Sequence, residues 1–165
     1  MKEMMQELFQ NYSAWVLFFH VAAAMVWVGG MIAIRFAVHP AMQHIEEPKV
    51  KLARTLELLG NFFTLVIAMI VILLFTGLIM SFGLNFKEGD PHLYKLTHVK
   101  EGIWLLMTLI FAVIYHRRNK AEQRFISGDM AAAKAYLEPI SAYLIPMNIV
   151  LGMLALYLGG ILRGF

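Results

Sequence analysis

The sequence predicts an all-α integral membrane protein, a bundle of four transmembrane helices with both termini on the same side. Three observations predict it. Of 165 residues, 60% are hydrophobic and only 15% charged, against about 45–50% and about 25% in soluble domains. The charge is segregated: residues 8–34, 58–86, 102–116 and 139–162 contain no Asp, Glu, Lys or Arg, so every charge falls in the other 70 positions. Nothing alternates in and out over segments of about ten residues, as a membrane β-barrel would require. No linker divides the chain, and residues 1–165 read as one domain.

A helix needs about 20 apolar residues to cross a hydrocarbon core of roughly 30 Å. Residues 1–12 form a short, amphipathic, Met-rich segment, and the first span covers 13–38. The second span covers 61–82. Gly89-Asp90-Pro91 supplies an N-cap and a proline at the first helical position, so helix three starts at Pro91 and runs to about Arg118, with its span at 95–117. The charge-free window here is short, and the span must take in polar residues from one flank. A surface helix is expected from about Ala121 to Tyr136, with Gly128 weakening its middle. The fourth span covers 142–162.

Nine Lys and Arg residues lie in two loops: Arg35, Lys49, Lys51 and Arg54, then Arg117, Arg118, Lys120, Arg124 and Lys134. Five lie on the other side: Lys2, Lys87, Lys95, Lys100 and Arg163. The positive-inside rule places the nine in the cytoplasm, hence a multi-pass protein of a bacterial-type inner membrane with periplasmic termini. The same rule accounts for the net charge of +3, so nucleic acid is not an expected partner. The partner to expect first is the lipid bilayer, and a homo-oligomer is left open. The first apolar stretch is too long for a signal-peptide core. Zero Cys excludes disulfides, iron–sulfur clusters, thiolate zinc sites and cysteine nucleophiles.

Ionisable groups at membrane depth are costly and usually face a partner, a cofactor or a water-filled cavity. His20 stands inside the first span. The alternative is a neutral imidazole bonded to a backbone carbonyl or to a Ser or Thr of a neighbouring helix. On helix three, counting about 20 residues back from His116 reaches Thr97, which puts His98, Lys100 and Glu101 in the outer half of the membrane. The alternative is a helix that starts near Glu101, with these groups in a solvated loop. Helices one and three are parallel, and His20 and His98 lie at similar distances from their starts. Small residues at Ala22, Ala23, Ala24, Gly29, Gly30 and Gly102 would leave room for a flat macrocycle.

Two facing histidines without Cys suit haem iron, and haem b in particular, since no Cys-x-x-Cys-His motif is present. His20 and His98 are the candidate axial ligands, with Lys100 an alternative ligand or propionate partner. His39 and His116 close the other ends of the same helices and define a candidate second haem. Positions 98 and 116 differ by five full turns, whereas His39 is turned about 100° from His20. Arg35 could pair with a haem propionate or a lipid phosphate. Copper is the rival metal, given twelve Met residues. The intramembrane ones, Met25, Met31, Met69, Met80, Met107, Met147 and Met153, show no repeated helical pairing and read as filler. His44 and His92 read as solvated, and no catalytic residue is assigned.

Trp15, His20, Trp27-Val28-Gly29-Gly30, Arg35 and Pro40, then Thr97-His98-Val99-Lys100 and the closing Gly159-Gly160-Ile161-Leu162-Arg163-Gly164-Phe165, resemble the small four-helix membrane proteins of the CopD-like and HemJ-like superfamily. The resemblance covers most of the chain. Its HemJ-like branch implies haem b binding and protoporphyrinogen IX oxidation, with a His of the first helix and a Lys of a later one, matching His20 and Lys100. The chain departs from that branch at Ala33-Ile34, ahead of Arg35, and at Leu144-Ile145-Pro146-Met147-Asn148. The Trp-Val-Gly-Gly element and Pro40 are closer to the CopD-like branch, which implies copper uptake or resistance. The leading expectation is a haem b redox protein, bis-His or His/Lys ligated, that exchanges electrons with quinone or another membrane partner.

Overall fold

The computed structural model describes residues 2–84 and 91–162. Among these residues four helices are long and apolar enough to cross a membrane: α1 (Glu3–Met42), α2 (Pro48–Gly83), α3 (Pro91–Ile126) and α4 (Met130–Ile161). Each runs antiparallel to the next. At one end of the bundle Phe9 packs against Gly83 and Ser81 bonds Glu101. At the other end Arg118 reaches the Leu56 carbonyl and Arg117 the Tyr136 carbonyl. Helices α1 and α3 are therefore parallel, as the order of spans requires.

Local chemistry shapes each helix. The kink in α1 falls at Tyr12 (φ −129°, ψ 23°), where the amphipathic leader meets the first span. Further along, α1 widens into π-helical turns at Met25–Gly29 and Ile34–Val38. Pro40 follows the second and has no N–H to return to the preceding turn. Helices α2 and α3 each contain 36 residues, about 54 Å at 1.5 Å per residue, well beyond a core of roughly 30 Å. Their excess projects at the same end, where α2 carries Lys49, Lys51 and Arg54 and α3 carries Arg117 to Arg124.

Pro91 opens α3 as expected. Its expected cap, Gly89-Asp90, lies outside the described residues, as do Lys87, Arg163 and the terminal Gly164-Phe165. His98, Lys100 and Glu101 stand on continuous helix rather than in a preceding loop.

The separate surface helix over 121–136 does not form. Residues 121–126 continue α3, and the chain turns at Gly128, whose φ of +84° favours glycine. The Asp129 carboxylate then accepts the Ala132 N–H at 3.0 Å and caps α4. Gly128 thus ends one helix instead of weakening another. Pro139 precedes a third π-helical turn, Ile140–Leu144, before α4 enters its final apolar stretch.

The core is built from all four helices. Trp27 lies edge-on to Phe111 at 6.3 Å between centroids, and Phe111 edge-on to Phe63 at 5.4 Å, the arrangement aromatic quadrupoles favour. Small residues bring backbones together, as in other membrane bundles. A Cβ at Gly152 would come within 2.5 Å of Val28 Cγ2 and 3.2 Å of Met107 Cε, and one at Gly30 would strike Phe62. Around the outside Phe18, Phe36, Phe75, Tyr143 and Tyr157 are exposed. Such a surface is costly in water and suited to lipid.

Candidate functional site

All four helices contribute to an apolar cavity of about 380 Å³ in the half of the bundle that carries Ser81 and Glu101. Its size suits a small-molecule or cofactor site, in which a few polar groups punctuate an apolar wall. His20 enters from α1, Lys100 and Glu101 from α3, and Ser81 from α2. Gly77, Gly159, Ala24 and Ala155 keep the walls low. A Cβ at Gly159 would lie 3.1 Å from Lys100 Nζ, and one at Gly77 3.6 Å from His20 Cε1.

His20 is held on its α2 side. Its Nδ1 lies 2.8 Å from Thr76 Oγ1, and the Thr76 hydroxyl donates to the Ile72 carbonyl at 2.6 Å. Thr76 is therefore the hydroxyl on a neighbouring helix that a solitary intramembrane histidine calls for. That contact occupies Nδ1 only. Nε2 makes no hydrogen bond among the described residues. Lys100, from α3, lines the same cavity.

The structure does not bring His98 to this cavity. Thr97, Lys100, Glu101 and Trp104 share the cavity face of α3, the i, i+3, i+4, i+7 positions of one helix stripe. His98 stands about 160° from Lys100 by the 3.6-residue repeat and points outward. It pairs with the Glu101 carboxylate at 2.8 Å, with both side chains about half exposed, and lies edge-on to Tyr94 at 4.5 Å.

His39 and His116 are not joined by any contact among the described residues. His39 Nε2 accepts from the Gln43 amide at 3.3 Å, and the Gln43 carbonyl oxygen accepts from Lys51. His116 is exposed. Arg35 lies over the Phe36 ring at 5.9 Å, away from the cavity. Gly30 is taken up by Phe62, while Gly29 and Gly102 face open space and do not line the cavity. The glycines that do line it come from α2 and α4. Among the described residues no group of three or more His, Asp or Glu side chains is placed to hold a metal ion.

A larger groove of about 520 Å³ opens between α2 and α3 at the other end, lined by Leu56, Gly60, Asn61, Thr64, Arg118 and Glu122. Arg118 donates there to the Leu56 carbonyl at 2.8 and 3.2 Å, to Asn119 and to both Glu122 oxygens. With its donors occupied this arginine works as a strut between helices, and the smaller cavity is the candidate site.

Among the described residues His20 Nε2 makes no hydrogen bond, Lys100 lines the same cavity, and Gly77 and Gly159 leave beside these two side chains space that an added Cβ would narrow. Thr76, Ser81 and Glu101 were not singled out as site residues from the sequence. Thr76 carries a signal all the same, as a polar residue inside a charge-free span. A scan against protein-family models, a search of curated proteins and a search of solved structures each return no match.

Proposed function

We propose that the chain is a membrane-embedded redox protein that binds haem b in the cavity between its four helices. The observation that carries this reading is His20: a histidine at membrane depth, fixed through Nδ1, with no hydrogen bond at Nε2 among the described residues, on the wall of an apolar cavity that Lys100 also lines. His20 would hold the iron through Nε2. Lys100 would take the other axial position or hold a propionate. Haem, when bound, supplies a one-electron couple tuned by its axial ligands and its burial. Leu73, Trp104 and Met107 give the cavity apolar walls, and the surrounding bilayer suits a lipid-soluble electron partner such as quinone. The excess of Lys and Arg in the helices flanking the 43–47 and 127–129 connections favours a cytoplasmic location for both, and a bacterial-type inner membrane.

The test is a dithionite-reduced minus oxidised spectrum of protein purified from cells supplied with haem. Wild type should show Soret and α bands, and His20→Ala should lose them. Wild-type protein with no Soret band, above all with stoichiometric copper instead, would overturn the reading.

A second reading shares the site. The presence of His20 and Lys100 in one cavity favours a HemJ-like protoporphyrinogen IX oxidase. This reading expects the chain to rescue a strain lacking that oxidase, and expects His20→Ala and Lys100→Ala to abolish rescue.

A further inference from the structure

We infer that Thr76 is a positioning residue for this site: its hydroxyl selects the imidazole tautomer of His20 that presents a bare Nε2 to the cavity. The inference deepens the proposed haem reading and rests on it for the use made of Nε2. The tautomer itself follows from hydrogen-bond bookkeeping. A threonine hydroxyl has one proton to donate and can accept as well. Thr76 Oγ1 lies 2.6 Å from the Ile72 carbonyl oxygen, four residues back on its own helix. A carbonyl cannot donate, so any bond there uses the Thr76 proton, and we place the proton in this contact, the shorter of the two and the usual back-bond of a helical threonine. The longer approach to the Leu73 carbonyl, 3.4 Å, draws on the same proton.

At the second contact, 2.8 Å from His20 Nδ1, Thr76 can then only accept. Nδ1 therefore carries the imidazole proton, and in the neutral ring Nε2 is left as a lone pair. On the side of the ring turned to α2, Nδ1 is bonded to Thr76, and a Cβ added at Gly77 would lie 3.6 Å from Cε1. The tether is also rigid, because Thr76 is buried, β-branched and bonded to its own helix. A ligating histidine typically has its ring orientation and tautomer set by such an outer partner. Here the partner is a hydroxyl whose own proton is committed elsewhere.

The experiment reads the tautomer directly by nitrogen NMR of protein containing isotope-labelled histidine, without haem, at about pH 8, above the ordinary imidazole pKa of about 6.5. His20 is assigned by the resonance missing in His20→Gln. In wild type Nδ1 should be protonated and Nε2 bare. Thr76→Val keeps the shape but removes the acceptor, and the Nε2–H form should rise about five- to tenfold, the worth of one hydrogen bond. Thr76→Ser should restore the wild-type pattern. In haem-loaded protein Thr76→Val should weaken haem retention about 10- to 100-fold, as outer-partner changes do.

A wild-type His20 protonated at Nε2, or a Thr76→Val protein with an unchanged tautomer, overturns the inference. If Thr76→Val does not fold, the wild-type and Thr76→Ser tautomers still decide it. Correct tautomers without any Soret band would sink the haem reading and leave the role of Thr76 standing. A Soret band with the wrong tautomer would do the reverse.

Discussion

His98 and Lys100 are two positions apart, which on a helix puts them on nearly opposite sides. That spacing decides which of them shares a cavity with His20. Lys100 lies on the stripe shared by Thr97, Glu101 and Trp104, and His98 lies outside it, tied to Glu101. At the residue scale the expected outcome is a contrast. His98→Ala should keep the haem bands of wild type, whereas Lys100→Ala should shift them or reduce their occupancy, as read from the absorption spectrum and the haem-to-protein ratio. Loss of the bands in His98→Ala with retention in Lys100→Ala would reverse the assignment. Counting from the expected helix starts matches His20 with His98, but α1 begins at Glu3. His20 meets α2 at Thr76 whereas Glu101, one turn inside His98, meets it at Ser81, so the two histidines differ in height. The count is blind to azimuth as well. The azimuth was present in the sequence as the i, i+2 offset. Only the packing of α3 shows which stripe faces inward.

At the scale of elements, the long apolar segments and their order are legible because a charge-free run of helical residues has few alternatives in a bilayer. The ends are less legible. Helices α2 and α3 continue beyond the membrane, and hydropathy says nothing about a helix once it enters water. Gly128 shows the difficulty: a glycine in a helical pattern can weaken it or end it, and the Asp129 cap decided for an end. Glycines within spans have a similar ambiguity, and here packing separates them. A Cβ at Gly152 would collide with Val28, while one at Gly29 meets nothing within 4 Å. Gly152→Val should therefore destabilise the bundle by about 1–3 kcal/mol, the usual cost of overpacking, whereas Gly29→Ala should be close to neutral. Thermal unfolding in detergent compares the two, and equal effects would contradict the packing of α4 on α1.

The whole molecule puts the 43–47 and 127–129 connections at one end and the N-terminal segment at the other. The chain has no cysteine, so single cysteines can be read without background. In intact cells an impermeant maleimide should label Met4→Cys, and should label Glu46→Cys and Ser127→Cys only after permeabilisation. If Glu46→Cys and Ser127→Cys label from opposite sides, the four-span arrangement fails. If both label from outside, only the orientation is reversed.

The sequence by itself determined the solvent, the number of spans and their alternation, because these follow from local composition and length against a bilayer of known thickness. It also singled out His20 and Lys100 as groups out of place in lipid. The tertiary structure alone decided that they share a cavity, that His98 stands outside it, and that Thr76 holds the imidazole. Those facts depend on the rotation of each helix about its axis, and in a chain this uniformly apolar hydropathy scarcely distinguishes the lipid face from the core. The rotation comes from close packing at sites such as Gly152 against Val28 and Gly30 against Phe62, contacts between residues far apart in the chain.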